Sequence, residues 1–172
     1  KDQEAWFSDG NIDIIAQGTA FRVHRGVLTI HSELFRDMLS IPQPTDAGDA
    51  GHIPVVEVTD SADNMRHLLL ALYYNNSLSH FKPYTQAEFA VVSSLARIAH
   101  KYQVKNVLDE AMSRIKAVYP DNLDDFLEVL NERPPDLPMR SKDIDSLHVL
   151  QIARLVGDTS LLRPAFYRLC QL

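Results

Sequence analysis

Apolar and polar positions change rhythm along this chain, and each change predicts an element. Ile12 and Ile14 alternate with Asn11 and Asp13, and Ile15 and Ala16 extend the apolar stretch. Thr19, Phe21 and Val23 then alternate with Ala20, Arg22 and His24. Period-2 patterning of this kind marks half-buried strands. Gln17-Gly18 lies between them and supplies the reversal, because glycine enters positive φ without steric cost. A hairpin is therefore predicted. Helical spacing follows, with Val27, Leu28 and Ile30 on one short segment and Leu34, Phe35, Met38 and Leu39 on the next. Ser32 stands where its hydroxyl caps the second of these helices, and Pro42 and Pro44 prevent its continuation.

Residues 43–52, QPTDAGDAGH, predict a mobile surface loop, rich as they are in Gly, Pro, Asp and Ala. Val55, Val56 and Val58 form a short strand, and Asp60 or Ser61 caps a helix carrying Met65, Leu68, Leu69 and Leu72. Asn75-Asn76-Ser77 breaks that helix. Thr85 and Glu88 have capping-box spacing before Phe89, Val92, Leu95, Ala96 and Ala99, which share one face. Val104, Val107, Leu108, Ala111, Met112, Ile115 and Val118 continue on a further helix. Asp121 is the expected cap of a helix with Leu123, Phe126, Leu127 and Leu130, and Asp124 and Asp125 sit near its positive end. Residues 133–141, RPPDLPMRS, read as a connector. Ile144, Leu147, Val149, Leu150, Ile152, Ala153 and Val156 predict a helix stopped at Gly157, and Leu161, Leu162, Ala165, Phe166, Leu169 and Cys170 a last one. No internal repeat has a convincing period.

At 172 residues the chain is long enough to bury a real core, as one domain or one domain with a helical extension. Its 45% hydrophobic and 23% charged residues are those of an ordinary soluble globular protein. No apolar segment approaches the ~20 residues needed to cross a bilayer, and no leader pattern opens the sequence. A formal charge of −6 argues against a basic nucleic-acid footprint, and Glu33 and Asp37 dilute the local positives Arg22, Arg25 and Arg36. The single cysteine, Cys170, excludes an internal disulfide framework and fits a reducing compartment, so a cytoplasmic or nuclear location is expected.

Two ordered motifs carry a family resemblance. Phe21-Arg22-Val23-His24-Arg25-Gly26-Val27-Leu28 followed by Ser32-Glu33-Leu34-Phe35 resembles the early signature of the BTB/POZ domain, and the segment Leu95 to Val104, LARIAHKYQV, resembles that family's later Leu-Ala-x-x-Tyr-x-Val pattern. The lead-in Trp6 to Asn11, the exit Ile41 to Pro44 and the run Leu161 to Tyr167 look like fungal members. The resemblance implies an α+β fold, a short sheet packed by a cluster of helices, with residues 6–118 as the BTB/POZ domain and 119–172 as a C-terminal helical extension. Phe21, Val23, His24, Leu28, Ser32 and Phe35 are then fold-signature residues and not a binding face. The implied function is non-catalytic protein–protein interaction, by self-association and docking of another protein.

The same resemblance places a dimer contact at Trp6, Phe7, Arg25 and Thr29. A second partner contact is implied in the turn after Leu72, at Tyr74, Asn75, Asn76, Leu78 and Phe81. Family members that recruit a cullin-type ubiquitin ligase scaffold use that region with an acidic pattern, which Asn75-Asn76-Ser77-Leu78-Ser79 lacks, so an adaptor role is the alternative and not the main expectation. An enzyme is not expected. Ser32 with His24 or His31 and Asp13 would be the nearest small-hydrolase constellation, but no Gly-x-Ser-x-Gly elbow is present and Ser32 already has a capping task. The seven histidines show no HxxxH or HExxH spacing, so no metal is expected, and the dispersed glycines form no phosphate loop, so no cofactor is either. Tyr73, Tyr74, Phe81 and Tyr84 have only Lys82 beside them, which favours packing or protein contact over base stacking. His24 is expected to be buried and hydrogen-bonded, orienting the turn from strand to helix.

Overall fold

The computed structural model describes residues 1–41, 53–74, 86–132, 134 and 137–172. Pro42 and Pro44, the loop 43–52, the break at Asn75-Asn76-Ser77 and the cap residue Thr85 lie outside the described residues. The hairpin is β1, Ile12–Ala16, and β2, Thr19–Val23, in antiparallel register with Ile14 opposite Phe21. Gln17 and Gly18 both take positive φ, 48° and 77°. That is the type I′ conformation whose twist suits a two-residue hairpin. Ile12, Ile14, Ala16, Phe21 and Val23 all point into the core and are fully or almost fully buried.

Helix α1, Arg25–His31, and α2, Glu33–Ser40, meet at Ser32. Its hydroxyl accepts from Phe35 N–H at 2.9 Å and donates to the Tyr102 carbonyl, so one residue caps α2 and ties it to the far side of the core. Strand β3, Val55–Val58, returns beside β1 in parallel register, giving the sheet order β2-β1-β3. Helix α3, Ala62–Tyr73, is capped by the Ser61 hydroxyl, which accepts from Asn64 N–H.

Glu88 does not take the third helical position expected of it. Ala87–Glu88 is instead strand β4, and Glu88 is the N-cap of α4, Phe89–Lys101, rather than its third residue. The reason is non-local: β4 pairs in parallel with β5, Met139–Arg140, a two-residue strand inside what the sequence marked as a connector. Helix α5, Lys105–Val118, packs along α4.

Helix α6, Leu123–Glu132, is capped by Asn122 and not by Asp121, because Asn122 Oδ1 accepts from Asp124 N–H at 2.8 Å while Asp121 is turned to Arg163, 2.7 Å away. Helix α7, Ser146–Val156, ends at Gly157 with φ 74°, and α8, Leu162–Leu169, closes the chain. One contiguous apolar core runs from Ala5 to Ala165, drawing on the sheet, α1 to α5, α7 and α8. Phe126 and Val129 of α6 are buried but lie outside that cluster. So α7 and α8 complete the core, while α6 rides on its surface.

Candidate protein-interaction surface

The residues ahead of β1 decide what surface remains open. Asp2 N–H donates to the Ala20 carbonyl, Arg22 N–H to the Ala5 carbonyl and Phe7 N–H to the Arg22 carbonyl, so residues 2–7 lie along the outer edge of β2. Asp2 is the anchor. Its carboxylate, 2% exposed, accepts from Glu4 N–H and Ala5 N–H and from Arg66 Nε at 2.7 Å. Burial alone pushes this carboxyl up, but the Ala5, Arg66 and Glu4 hydrogen bonds outweigh it and hold the group below the usual aspartate range.

Trp6 and Phe7 therefore fold back on their own domain. Trp6 lies under the Arg22 guanidinium, 4.6 Å from ring centroid to Cζ, with Lys1 Nζ at 4.5 Å. Arg22 is held there by a bidentate pair with Asp13, both bonds 2.8 Å. Phe7 stacks on Tyr73 at 4.2 Å. Both aromatic rings are half-buried within the monomer.

His24 is half-buried and not buried as expected, because its Nε2 faces Asp9 at the surface, 3.3 Å away. Its hydrogen bonding is complete. The Tyr73 hydroxyl accepts from His24 N–H at 2.7 Å and lies 2.8 Å from Nδ1. One hydroxyl thus meets both the backbone and the ring of His24, whose Nε2 faces Asp9. Burial raises the Tyr73 phenol above its ordinary value. This node joins the N-terminal segment, the end of β2 and the end of α3, and the sequence did not single out Tyr73 for it.

Of the remaining signature residues, Phe21, Val23 and Leu28 are fully buried, and Ser32 and Phe35 are 1% exposed. Phe35 stacks on Tyr102 at 4.6 Å, whose hydroxyl donates to Asp60 at 2.6 Å. The groups of the small-hydrolase constellation are engaged elsewhere: Ser32 with Phe35 and Tyr102, Asp13 with Arg22, His24 with Tyr73, and His31 with Asn106 at 3.4 Å. Among the described residues, no group of three or more His, Cys, Asp or Glu side chains is placed to hold a metal ion, and no helix is long and apolar enough to cross a membrane.

Arg25, Gly26 and Ile30 are the exposed residues of α1. Arg25 spends Nη2 on the Leu39 carbonyl at 2.6 Å, and Thr29 returns its hydroxyl to the Gly26 carbonyl at 3.1 Å. Ile30, next to Thr29, is 74% exposed, and Ile41 past the end of α2 is 64% exposed. Ile30 lines a groove of about 430 Å³ together with Val104, Leu108 and the polar side chains His31, Glu33, Arg36, His100, Gln103 and Lys105. The sequence grouped Ile30 with Val27 and Leu28. At about 100° per residue, Ile30 lies about 160° around the helix from Leu28, so burying Leu28 turns Ile30 outward. Tyr74 is 42% exposed at the end of α3, whereas Asn75, Asn76, Leu78 and Phe81 lie outside the described residues.

A small three-stranded sheet, two short helices meeting at a capping serine and a layer of longer helices define a BTB/POZ-type interaction fold. The family model for the BTB/POZ domain matches residues 4–119, and the chain belongs to that family. A BTB/POZ domain is a protein–protein interaction module, here followed by the additional helices α6 to α8. No curated protein matches the chain.

Proposed function

We propose that this protein works by non-catalytic contact, associating with a second copy of itself through the α1 face and docking another protein elsewhere on its surface. The observation that carries the reading is Ile30, 74% exposed beside a groove of about 430 Å³, in a chain whose N-terminal aromatics are already covered by their own domain. An exposed branched aliphatic in a groove of mixed apolar and polar lining is the kind of surface that a protein contact covers. Trp6 and Phe7 then act by supporting the edge of this face, and Arg25 by joining α1 to α2. Residues 6–118 form the interaction domain in this reading and 119–172 the extension that braces it. The exposed single Cys170 supports a reducing location, cytoplasm or nucleus.

Sedimentation velocity from low to high micromolar concentration tests it. Wild-type protein should shift from monomer to dimer, and Ile30→Asp should stay monomeric with an unchanged unfolding midpoint, because an exposed substitution costs less than about 0.5 kcal/mol. A wild-type protein that remains strictly monomeric removes the self-association.

A further inference from the structure

We infer that a cavity lined by α5, α6, β5 and α8 binds a small organic carboxylate. One side chain carries the argument. Arg168 of α8 is 5% exposed and its Nε finds no hydrogen-bond acceptor. Among the described residues no carboxylate pairs with its guanidinium. Its Cζ lies 4.6 Å from the Tyr119 ring centroid and 5.8 Å from that of Phe126. Those rings attract a cation but supply no counter-ion. Buried charges in native proteins are otherwise paired or hydrogen-bonded, because leaving one bare is costly. A bound anion supplies what the fold does not.

Arg168 lines a cavity of about 160 Å³. Val118 of α5, Val129 of α6 and Met139 of β5 line it too, so it forms where residues beyond the family match close on the matched domain. Among the described residues its lining holds two arginines, Arg168 and Arg140, and no acid, in a chain of net charge −6. Arg140 is 68% exposed. Its Nε donates to Gln86 Oε1 at 3.2 Å and its Nη1 lies 3.9 Å from Glu88, an exposed pair that water screens. The rest of the lining chooses among anions. Val129, Leu137 and Met139 are apolar, and the volume is about half the roughly 300 Å³ at which drug-sized sites begin. A phosphate monoester brings a charge of about −1.5 to −2, more than one buried guanidinium balances. A carboxylate brings a single charge, matches the planar guanidinium, and carries an organic body for the apolar lining. Short branched acids and the C-terminal leucine of a polypeptide share this chemistry. The cavity is separate from the α1 face and does not rest on self-association.

Isothermal titration calorimetry on the full chain tests it with isocaproate, with a hexapeptide ending in leucine, with the amide of each, and with inorganic phosphate. At least one acid should bind saturably and its amide not at all. The tighter of the two acids identifies the source as a free small acid or a polypeptide C-terminus. Arg168→Met keeps the bulk and removes the charge, and should weaken binding by about tenfold or more. It should unfold no earlier than wild type, since the cost of an unpaired buried charge goes with it. Arg140→Gln, at an exposed position, should fold as wild type does and bind about threefold more weakly. Saturating acid should raise the unfolding midpoint of wild type and leave that of Arg168→Met unmoved. No saturable binding of either acid, equal binding of acid and amide, tighter binding of phosphate than of both acids, or wild-type affinity in Arg168→Met overturns the inference. So does an Arg168→Met that loses stability while wild type gains none from saturating acid, since the guanidinium then serves the fold through Tyr119 and Phe126 alone.

Discussion

Asp2 concentrates more interaction than any neighbour in its segment, since two backbone N–H groups and the Arg66 guanidinium converge on one carboxylate that is 2% exposed. Hydrogen bonds to a charged group contribute about 1.5–3 kcal/mol, and losing this acceptor leaves buried donors unpaired. Asp2→Ala is therefore expected to cost about 3 kcal/mol, measured by urea unfolding. The pH dependence has a definite sign. The folded carboxyls of Asp2 and of Asp158 are held below the unfolded value, Asp158 by Lys116 and Ser160 against the opposing effect of burial. Their stabilisation is full above about pH 4 and is lost as pH falls through the folded values, because only the unfolded chain takes up protons in that window. The unfolding midpoint should fall on acidification below about pH 4, and less so in Asp2→Asn. At the alkaline end the sign reverses. Burial raises the Tyr73 and Tyr102 phenols, and the Asp60 carboxylate raises Tyr102 further. In an ultraviolet titration of the folded protein both should ionise above the ordinary tyrosine range near about pH 10.

At the scale of elements, the caps that use adjacent residues were legible, and those decided from a distance were not. Ser32 caps α2 as its spacing indicates, and of the two caps the sequence offers for α3 it is Ser61 that serves, Asp60 being held by Lys101 and Tyr102. Asp121 and Asn122 are equally good caps by type, and only Arg163, 42 residues away, decides between them. A pair of two-residue strands has no periodicity to detect, so β4 and β5 emerge only once α5 brings residues 87–88 and 139–140 together. The apolar face of α6 was visible, but its isolation from the main core was not, since periodicity shows which side is buried and not how firmly. Phe126 meets Tyr167 edge-on at 5.6 Å and the Arg168 guanidinium at 5.8 Å, and contributes nothing to the main cluster. Amides of α6 are accordingly expected to exchange faster than those of α4, whose buried face carries Phe89, Val92, Leu95, Ala96 and Ala99. Hydrogen exchange followed by mass spectrometry reads the difference directly.

The whole molecule is one core shared by two stretches of sequence. Helix α7 packs on α4, Arg97 donates to Gln151 across that contact at 2.8 Å, and Tyr119, fully buried, bonds with Ser141 and Ser146. Residues beyond the family match thus complete the interior of the matched region. Cutting the chain after Val118 strips that cover from α4 and α5, and the shortened protein should bind apolar dyes and aggregate where the full chain stays dispersed. The signature residues Phe21, Leu28, Ser32 and Phe35 belong to the same interior, whereas Ile30 is exposed and open to contact.

Residues 2–7 also seal the β2 edge of the sheet. Paired outward from Ala20 and Arg22, they occupy donors and acceptors that an extended strand from any other chain would otherwise take. A molecule clipped ahead of Asp9 would present that ribbon bare, and copies of it would zip together edge to edge with a rate that climbs steeply with concentration. The missing strip, added back as a free peptide, should compete for the same ribbon and arrest the growth.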